Sequence, residues 1–575
     1  HVIVGSIDHS RIDNKKCSFL LGVNEGLWPM KPPIDGIINE QEREYLYRFG
    51  MELAASNRRV LLDDHFYMYL AFTTATEYVW VSYPISDSEG NGRLPAQIIQ
   101  RLYEFFPDME APVLLSEPDE LNEASRFITT PEKTRAPLTV QLSRQLRGYP
   151  MQDIWLDVLA WYMKNETKDE TAYKVLQSLF YENKPSNLSN ETVKQLYPKE
   201  KPVSMSVSRL ERLNSCKYQH FAKHNLALEN RRTYKLEAPD IGQLFHEAIK
   251  IITEWIQVER NDFKGLTKED AKQYANRSIE HLAPIMQHQI LTSSNRYKYL
   301  QRKLSSIIAR TTYILSEQAR LSGFSPVGME LAFGMKGGLD PLKIELPNGF
   351  ELHLRGQIDR VDQAREGEQL YLRIIDYKSS NQDLSLQKVY YGLSLQMLAY
   401  LQVVLARAEE WLGLAAEPAG VLYFHIHNAM LTEKSLLSDE KITDALFKKY
   451  KMNGLVMADE QVARLMDTSL ETGRSDIVPI GLKKNGELRS DSNAASLATF
   501  QLLEDYLEQL LVDAGLNMTS GQIMLDPYEY KQRTACTFCD FKSVCQFDPT
   551  LEENDFRRLK AMKDDEVLDK MQEIR

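Results

Sequence analysis

Two short stretches constrain this chain more than any other feature. The first is Gly356-Gln357-Ile358-Asp359-Arg360-Val361-Asp362 and the second is Ile374-Ile375-Asp376-Tyr377-Lys378. The first reads as a turn or strand end carrying an acid. The second reads as a buried strand, apolar up to Ile375, that delivers an acid and a lysine. Side chains alternate along a strand, so Asp376 and Lys378 share one face and Tyr377 takes the other. Asp359 precedes Asp376 by 17 positions, room for a hairpin that returns one acid beside the other. Two carboxylates and an ammonium at one spot are costly to bury without further counter-charge. A divalent metal would supply it.

The acid, then acid-x-lysine, order resembles the core of the PD-(D/E)xK nucleases, and more narrowly the RecB-type nucleases. Gly242-Gln243-Leu244-Phe245-His246 sets Gly242 and His246 at i and i+4 on a helix. RecB-type nucleases carry a Gly-x-x-x-His element there, and the resemblance implies His246 as a metal ligand through a neutral imidazole. On its own a helical histidine is more often a packing or surface residue. The resemblance likewise implies Asp359 and Asp376 as carboxylate ligands, with the Tyr377 backbone carbonyl as a further one. Oxygen donors with open water positions suit Mg²⁺. Lys378 would orient the attacking water or stabilise charge on the phosphorane-like transition state. Gln396 and Tyr400 share a helix face at i, i+4. They match the family's Gln-x-x-x-Tyr element, which implies contact with the DNA backbone or orientation of the lysine. Glu330 stands on an earlier strand and is expected to support the ligands rather than join them. Arg360 and Asp362 are expected as a surface or structural pair. The competing structural reading of Asp376 and Lys378 is a buried ion pair on a strand.

Around these motifs the spacing predicts helices over 209–229, 242–258, 267–290, 296–320, 384–412, 440–452 and 493–514. It predicts strands over 328–333, 342–346, 351–359, 370–377 and 420–425. Ser208-x-x-Glu211 reads as a capping box for the first helix and Asp240 as the N-cap of the second. The fold class is α/β, a mixed central sheet with helices.

Cys536-Thr537-Phe538-Cys539 and Cys545 give C-x₂-C-x₅-C, one thiol short of a Cys₄ site. Cys216, 320 positions before Cys536, is the candidate fourth, since Cys17 reads as a packed thiol. Spacing alone leaves zinc and an iron–sulfur cluster equally open. The three-plus-one order resembles the iron–sulfur staple of AddB-type nucleases. That implies a [4Fe–4S] cluster on Cys216, Cys536, Cys539 and Cys545, with a structural role.

Residues 1–104 read as a separate α/β block, with strands at 2–4, 18–22 and 77–83 and helices at 40–48 and 66–76. The block resembles the last motifs of superfamily 1 helicases of the UvrD/RecB type. His9-Ser10-Arg11-Ile12-Asp13 departs from the family's His-Ser-Ala-Lys-Gly. Thr74 stands where the family's phosphate-contacting arginine falls. No G-x-x-x-x-G-K-[S/T] loop occurs anywhere in the chain. A degenerate helicase-like domain with an inactive motor is expected. Residues 105–200 read as a helical connector ending in an exposed linker, and 201–575 as the nuclease domain.

The net charge of −12 does not look like a DNA-binding protein, but a local basic channel can coexist with an acidic whole. Residues 201–250 hold nine Lys/Arg against five acids. Lys531, Arg533 and Lys542 beside the cysteines could also meet phosphates. No apolar run approaches ~18 residues, so no membrane helix is expected. The chain starts at His1 without an initiator Met and is expected to be the C-terminal part of a longer polypeptide.

Taken together, the chain resembles the C-terminal half of the B subunits of AddAB-type helicase–nucleases. That implies a bacterial, cytoplasmic Mg²⁺-dependent DNA exonuclease processing double-strand breaks for recombinational repair. It implies cleavage of the 5′-ended strand and a link to recognition of the Chi sequence. It also implies an AddA partner that supplies the motor, and double- and single-stranded DNA as ligands. The alternative is a non-catalytic DNA-binding scaffold with a zinc-stapled degenerate nuclease fold.

Overall fold

The structure is a computed structural model and describes residues 2–9, 12–30, 38–51, 53, 56–87, 90–115, 117–118, 124–165, 170–231, 234–260, 263–429 and 438–574. Ser10, Arg11 and Arg232 lie outside the described residues. The chain divides into two compact units, 1–179 and 180–575.

In the first unit β1 (Lys15–Leu21) and β2 (Ala75–Ser82) pair in parallel, with helices Glu40–Arg48 and Asn57–Thr73 between them in sequence. Residues 2–4 form no strand and are exposed, contrary to expectation. Cys17 is exposed on β1 rather than packed. Thr74 caps the second helix and its hydroxyl donates to the Leu70 carbonyl. The stretch expected as a connector has a core of its own. Leu138 and Leu142 of helix Pro131–Leu146 pack with Trp155 and Tyr162 of helix Ile154–Asn165.

The second unit is built on an eight-stranded mixed sheet. Its strands are β3 (Val203–Ser206), β4 (Ser325–Phe333), β5 (Leu342–Glu345), β6 (Glu351–Glu366), β7 (Gln369–Lys378), β8 (Ala416–His425), β9 (Asn453–Met457) and a two-residue edge, Ala494–Ala495. β6 is the hub: it pairs with β3 in parallel and with β4, β5 and β7 antiparallel. β7 then pairs in parallel with β8 through the helical crossover 386–412. β7 reads Gln-Leu-Tyr-Leu-Arg-Ile-Ile-Asp-Tyr-Lys and is buried from Leu370 to Tyr377. That near-continuous apolar run is what a strand covered on both faces requires.

Several helix ends differ from expectation. The first helix is short, Val207–Ser215, and Ser206 rather than Ser208 caps it by accepting from Arg209 N. Cys216 breaks the run in extended backbone at φ −167°, ψ 123°, so it sits at a helix junction rather than within a helix. The helix expected over 242–258 spans Ala238–Glu259, where Glu237 is the N-cap and Asp240 the N3 partner of the box. Its Leu244, Phe245, Ala248, Ile249, Ile252 and Ile256 form the buried stripe expected of an amphipathic helix. The segment expected as one helix over 384–412 is three: Leu386–Tyr390, Gln396–Ala406 and Ala408–Leu412.

Candidate functional site

Asp359 lies in the middle of β6, not at a turn. The β6–β7 register sets Arg360 opposite Ile375 and so brings Asp359 opposite Asp376. The β4–β6 register sets Met329 opposite Arg360 and Leu331 opposite Ile358, which puts Glu330 on the other side of Asp359. Three carboxylates thus form a row across three neighbouring strands, each step about 4.8 Å. Glu330 adopts φ +47°, a left-handed backbone rarely held by a residue with a side chain. Such a conformation costs about 1–3 kcal/mol and clusters at functional sites.

His246, Glu330 and Asp359 each place a ligand atom within 4.8 Å of the other two. His246 Nδ1 is 3.1 Å from Asp359 Oδ2, and the Tyr377 N–H donates to the same oxygen at 2.9 Å. Asp376 stands outside this tight group because its oxygens are engaged elsewhere. Lys378 Nζ is 2.6 Å from Oδ2, and Gln396 Nε2 donates to Oδ1 at 3.1 Å. Gln396 also accepts from Lys378 Nζ at 3.4 Å and donates to Tyr400 Oη at 3.3 Å. All of His246, Asp359, Asp376, Lys378, Gln396 and Tyr400 therefore converge, and Glu330 joins as a candidate ligand.

The electrostatics indicate missing positive charge. Burial, followed by the charge of Asp359, pushes the Asp376 carboxyl up to about 6 and that of Glu330 up to about 7. Burial pulls the His246 imidazole down, but its hydrogen bond to Asp359 and the charges of Asp359 and Asp376 outweigh it, so its pKa is raised. A carboxylate–imidazole set with unsatisfied negative charge is the donor chemistry that a hard divalent cation fits.

Tyr400 packs edge-on to Phe333 at 5.7 Å, and Gly356 lies directly beneath both rings. A Cβ at Gly356 would come within 2.7 Å of Phe333 and 3.3 Å of Tyr400. The glycine that opens the Gly-x-x-Asp stretch is required by that close approach. On the opposite face of the same strands, Asp362 accepts from Arg360 and Arg373, all three buried. The Arg360–Asp362 pair is therefore structural and interior, not on the surface.

Cys216, Cys536, Cys539 and Cys545 line one small cavity of about 20 Å³ with Tyr218, Phe541 and Phe547. Two contacts hold its walls. Asp526 accepts from Lys217 N at 2.8 Å and Lys217 Nζ at 3.0 Å, which pins the residue after Cys216. Asn183 Nδ2 donates to the carbonyls of Cys545 at 3.0 Å and Gln546 at 2.9 Å, and to Asn554 Oδ1 at 2.9 Å. Neither contact has a local sequence signal, because each joins residues more than 300 positions apart. Burial raises the thiols, Cys216 to about 12 and Cys536 to about 11. Thiolate ligation there depends on the charge of a bound metal.

Of the basic stretch, Arg209 donates to His220 Nε2 at 2.9 Å, and Arg212 Nη1 lies 2.7 Å from His224 Nε2. These two arginines, with Lys217, are engaged within the protein. Among the described residues no helix is long and apolar enough to cross a membrane.

Comparison with known proteins agrees with this geometry. Residues 204–546 match the model of the PD-(D/E)XK nuclease superfamily. Residues 120–178 match that of the fifth domain of ATP-dependent helicase/deoxyribonuclease AddB. The chain is 54% identical over 569 residues to the B subunit of the ATP-dependent helicase/deoxyribonuclease of Oceanobacillus iheyensis, covering 99% of this chain and 49% of that protein. It is 44% identical over 570 residues to the B subunit of the same enzyme from Bacillus subtilis, with the same coverage. The chain thus spans about half the length of the curated relatives it matches.

Proposed function

Because the chain belongs to the PD-(D/E)XK nuclease superfamily, we propose that its carboxylate row is the hydrolytic centre of a Mg²⁺-dependent DNA exonuclease subunit in an AddAB-type helicase–nuclease. The observation that carries this reading is the row Glu330–Asp359–Asp376 beside Lys378, short of positive charge. His246, Asp359, Asp376 and the Tyr377 carbonyl would hold the cation, with Glu330 alongside. When bound, the cation lowers the pKa of a coordinated water and polarises the scissile phosphate.

This chain's residues do the rest. Asp359 is fixed by the Tyr377 N–H and orients the His246 ring. Lys378 presents an ammonium held between Asp376 and Gln396, placed to orient the attacking water and to stabilise charge on the phosphoryl oxygens. Gln396 sets that ammonium with its oxygen and Asp376 with its nitrogen. Burial lifts the Tyr400 phenol to about 12, so it stays neutral at working pH. The four cysteines would hold a [4Fe–4S] cluster that joins the two ends of the nuclease unit.

In the whole assembly the subunit would cut the 5′-ended strand of a double-strand break. An AddA partner would supply the motor, with Chi recognition linked to the AddB-type chain, in the bacterial cytoplasm. The first unit, with Thr74 in place of an arginine, would turn over no ATP. The deciding measurement is strand-specific degradation of end-labelled duplex DNA by an Asp376→Ala complex. Loss of 5′-strand products is expected, and undiminished 5′-strand degradation would sink the catalytic reading.

A further inference from the structure

We infer that Glu211 is the positioning residue for Gln396 and Lys378, and that it ties the helix ending at Cys216 to the hydrolytic centre; the inference rests on the nuclease reading above. The helix Gln396–Ala406 begins at Leu395, an N-cap whose side chain can accept nothing. The first N–H groups of a helix need outside acceptors. Glu211 supplies one from a different helix. Its Oε1 accepts from Leu395 N at 2.7 Å and from Gln396 N at 3.2 Å. A carboxylate also suits the positive end of that helix.

The consequence is local and geometric. Gln396 is the only side chain seen to bond both Asp376 and Lys378 among the described residues, and its backbone is anchored by Glu211. An N-terminus that frays or shifts would carry the Gln396 amide away, leaving Lys378 with Asp376 as its partner and removing the donor to Asp376 Oδ1. Although Glu211 keeps partial exposure, its carboxylate end is enclosed. Burial raises its pKa, opposed by the two N–H groups and the nearby Lys378 charge.

The same short helix makes a second tie. Asn214 Nδ2 donates to the Gly392 carbonyl at 3.2 Å, just before the start of the Gln396 helix. Gly392 has φ +70°, and a Cβ there would come within 2.2 Å of Asn214 Nδ2. Glu211 and Asn214 are three apart and share a face. The helix then ends at Cys216. One rigid turn-and-a-half thus carries a cysteine-site residue at its end and the anchors of the catalytic glutamine on its side.

The test compares Glu211→Ala, Glu211→Gln and Glu211→Asp in the intact complex with Mg²⁺. It reads single-turnover cleavage of end-labelled duplex DNA, the DNA dissociation constant, and alkylation of Cys216 by iodoacetamide. Glutamine keeps an acceptor oxygen at the right reach and loses the charge. Aspartate keeps the charge and falls one methylene short. Glu211→Ala is expected to slow cleavage roughly 10- to 100-fold, the range for a displaced supporting residue. Glu211→Asp is expected to be slowed in the same direction and Glu211→Gln to stay within about threefold of wild type. DNA affinity and Cys216 protection are expected to hold in Glu211→Gln and Glu211→Asp. A wild-type rate in Glu211→Asp, or Glu211→Gln as slow as Glu211→Ala, overturns the inference. Lys378→Ala runs alongside: a wild-type rate there sinks the nuclease reading itself, whereas a dead Lys378→Ala with a fast Glu211→Asp sinks only the positioning role.

Discussion

Asp362→Asn should destabilise the second unit by about 3–5 kcal/mol, the cost of breaking a buried ion pair by removing one partner. Four donors converge on the carboxylate. Oδ1 accepts from Arg360 Nε at 2.6 Å; Oδ2 accepts from Arg360 Nη2 at 3.0 Å and from Arg373 Nε and Nη2 at 3.0 and 2.8 Å. Asparagine keeps one acceptor oxygen. Its best placement leaves that oxygen on the three bonds at Oδ2 and turns its NH₂ towards Arg360 Nε, donor against donor. The second loss is charge. Arg360, Asp362 and Arg373 are 5%, 0% and 3% exposed, so two guanidinium groups would remain buried without a counter-ion. Burial pushes the Asp362 carboxyl up, but Arg360 and Arg373 outweigh it and hold it below its usual range. A depressed carboxylate contributes stability above its unfolded pKa and loses it as pH falls through the folded one. The gap between wild type and Asp362→Asn should therefore be level from about pH 5 upward and narrow in acid. Tryptophans occur in both units, so urea unfolding is best followed by amide hydrogen exchange in peptides covering 351–378. Asp491→Asn, at an exposed aspartate bridging Arg474 and Arg489, is the control and should leave the transition in place. An Asp362→Asn protein within about 1 kcal/mol of wild type would refute the reasoning.

Three further outcomes follow from the geometry. Gly356→Ala should cost about 1–3 kcal/mol by overpacking Phe333 and Tyr400, while Gly242→Ala, whose Cβ meets only Ser379 Oγ at 3.5 Å, should stabilise its helix slightly; equal effects in a urea titration would contradict both. Mg²⁺ or Mn²⁺ affinity, by titration calorimetry, should weaken as pH is lowered through about 7 and then about 6, because protons on Glu330, His246 and Asp376 compete with the cation; Glu330→Gln should shrink the upper part of that fall and His246→Ala the rest of it. Cys545→Ser should abolish, and Asn183→Ala should weaken, the visible absorbance of an iron–sulfur cluster in the complex, whereas a colourless wild-type protein with stoichiometric zinc would reject the cluster.

What can be read ahead of the structure is what local pattern controls. Alternation puts Asp376 and Lys378 on one face, and the short spacing foretells the β6–β7 hairpin. Helical periodicity locates the helix of His246. The failures are non-local. Glu330 becomes a candidate ligand only because the β4–β6 register sets it opposite Asp359, and nothing in residues 325–333 states that register. Glu211 reads as the partner of Ser208 in its own helix. Ser206 caps that helix, and Glu211 caps another 185 positions away. A turn or strand end is expected at Asp359. Gly356 is there because two aromatic rings lie against it, and β6 instead runs through to Glu366.

The two faces of β6 and β7 treat their acids differently, and that difference bears most directly on function. On one face Asp362 is surrounded by two guanidinium groups, more positive charge than it needs. On the other, Glu330, Asp359 and Asp376 are contacted by the Lys378 ammonium and the His246 imidazole, with the charge of Lys250 reaching Glu330. A chain that places two arginines against a single carboxylate on one side of a strand pair does not lack the means to neutralise three on the other. Replacing Glu330 by an apolar residue would also relieve the raised carboxyl there. On the proposed nuclease reading, that face leaves room for a cation from solution. On the same reading Lys378, paired with Asp376 at 2.6 Å and within reach of Gln396 at 3.4 Å, is a fixed charge available to meet a phosphate. That makes the support of Gln396 as consequential for chemistry as the carboxylates themselves.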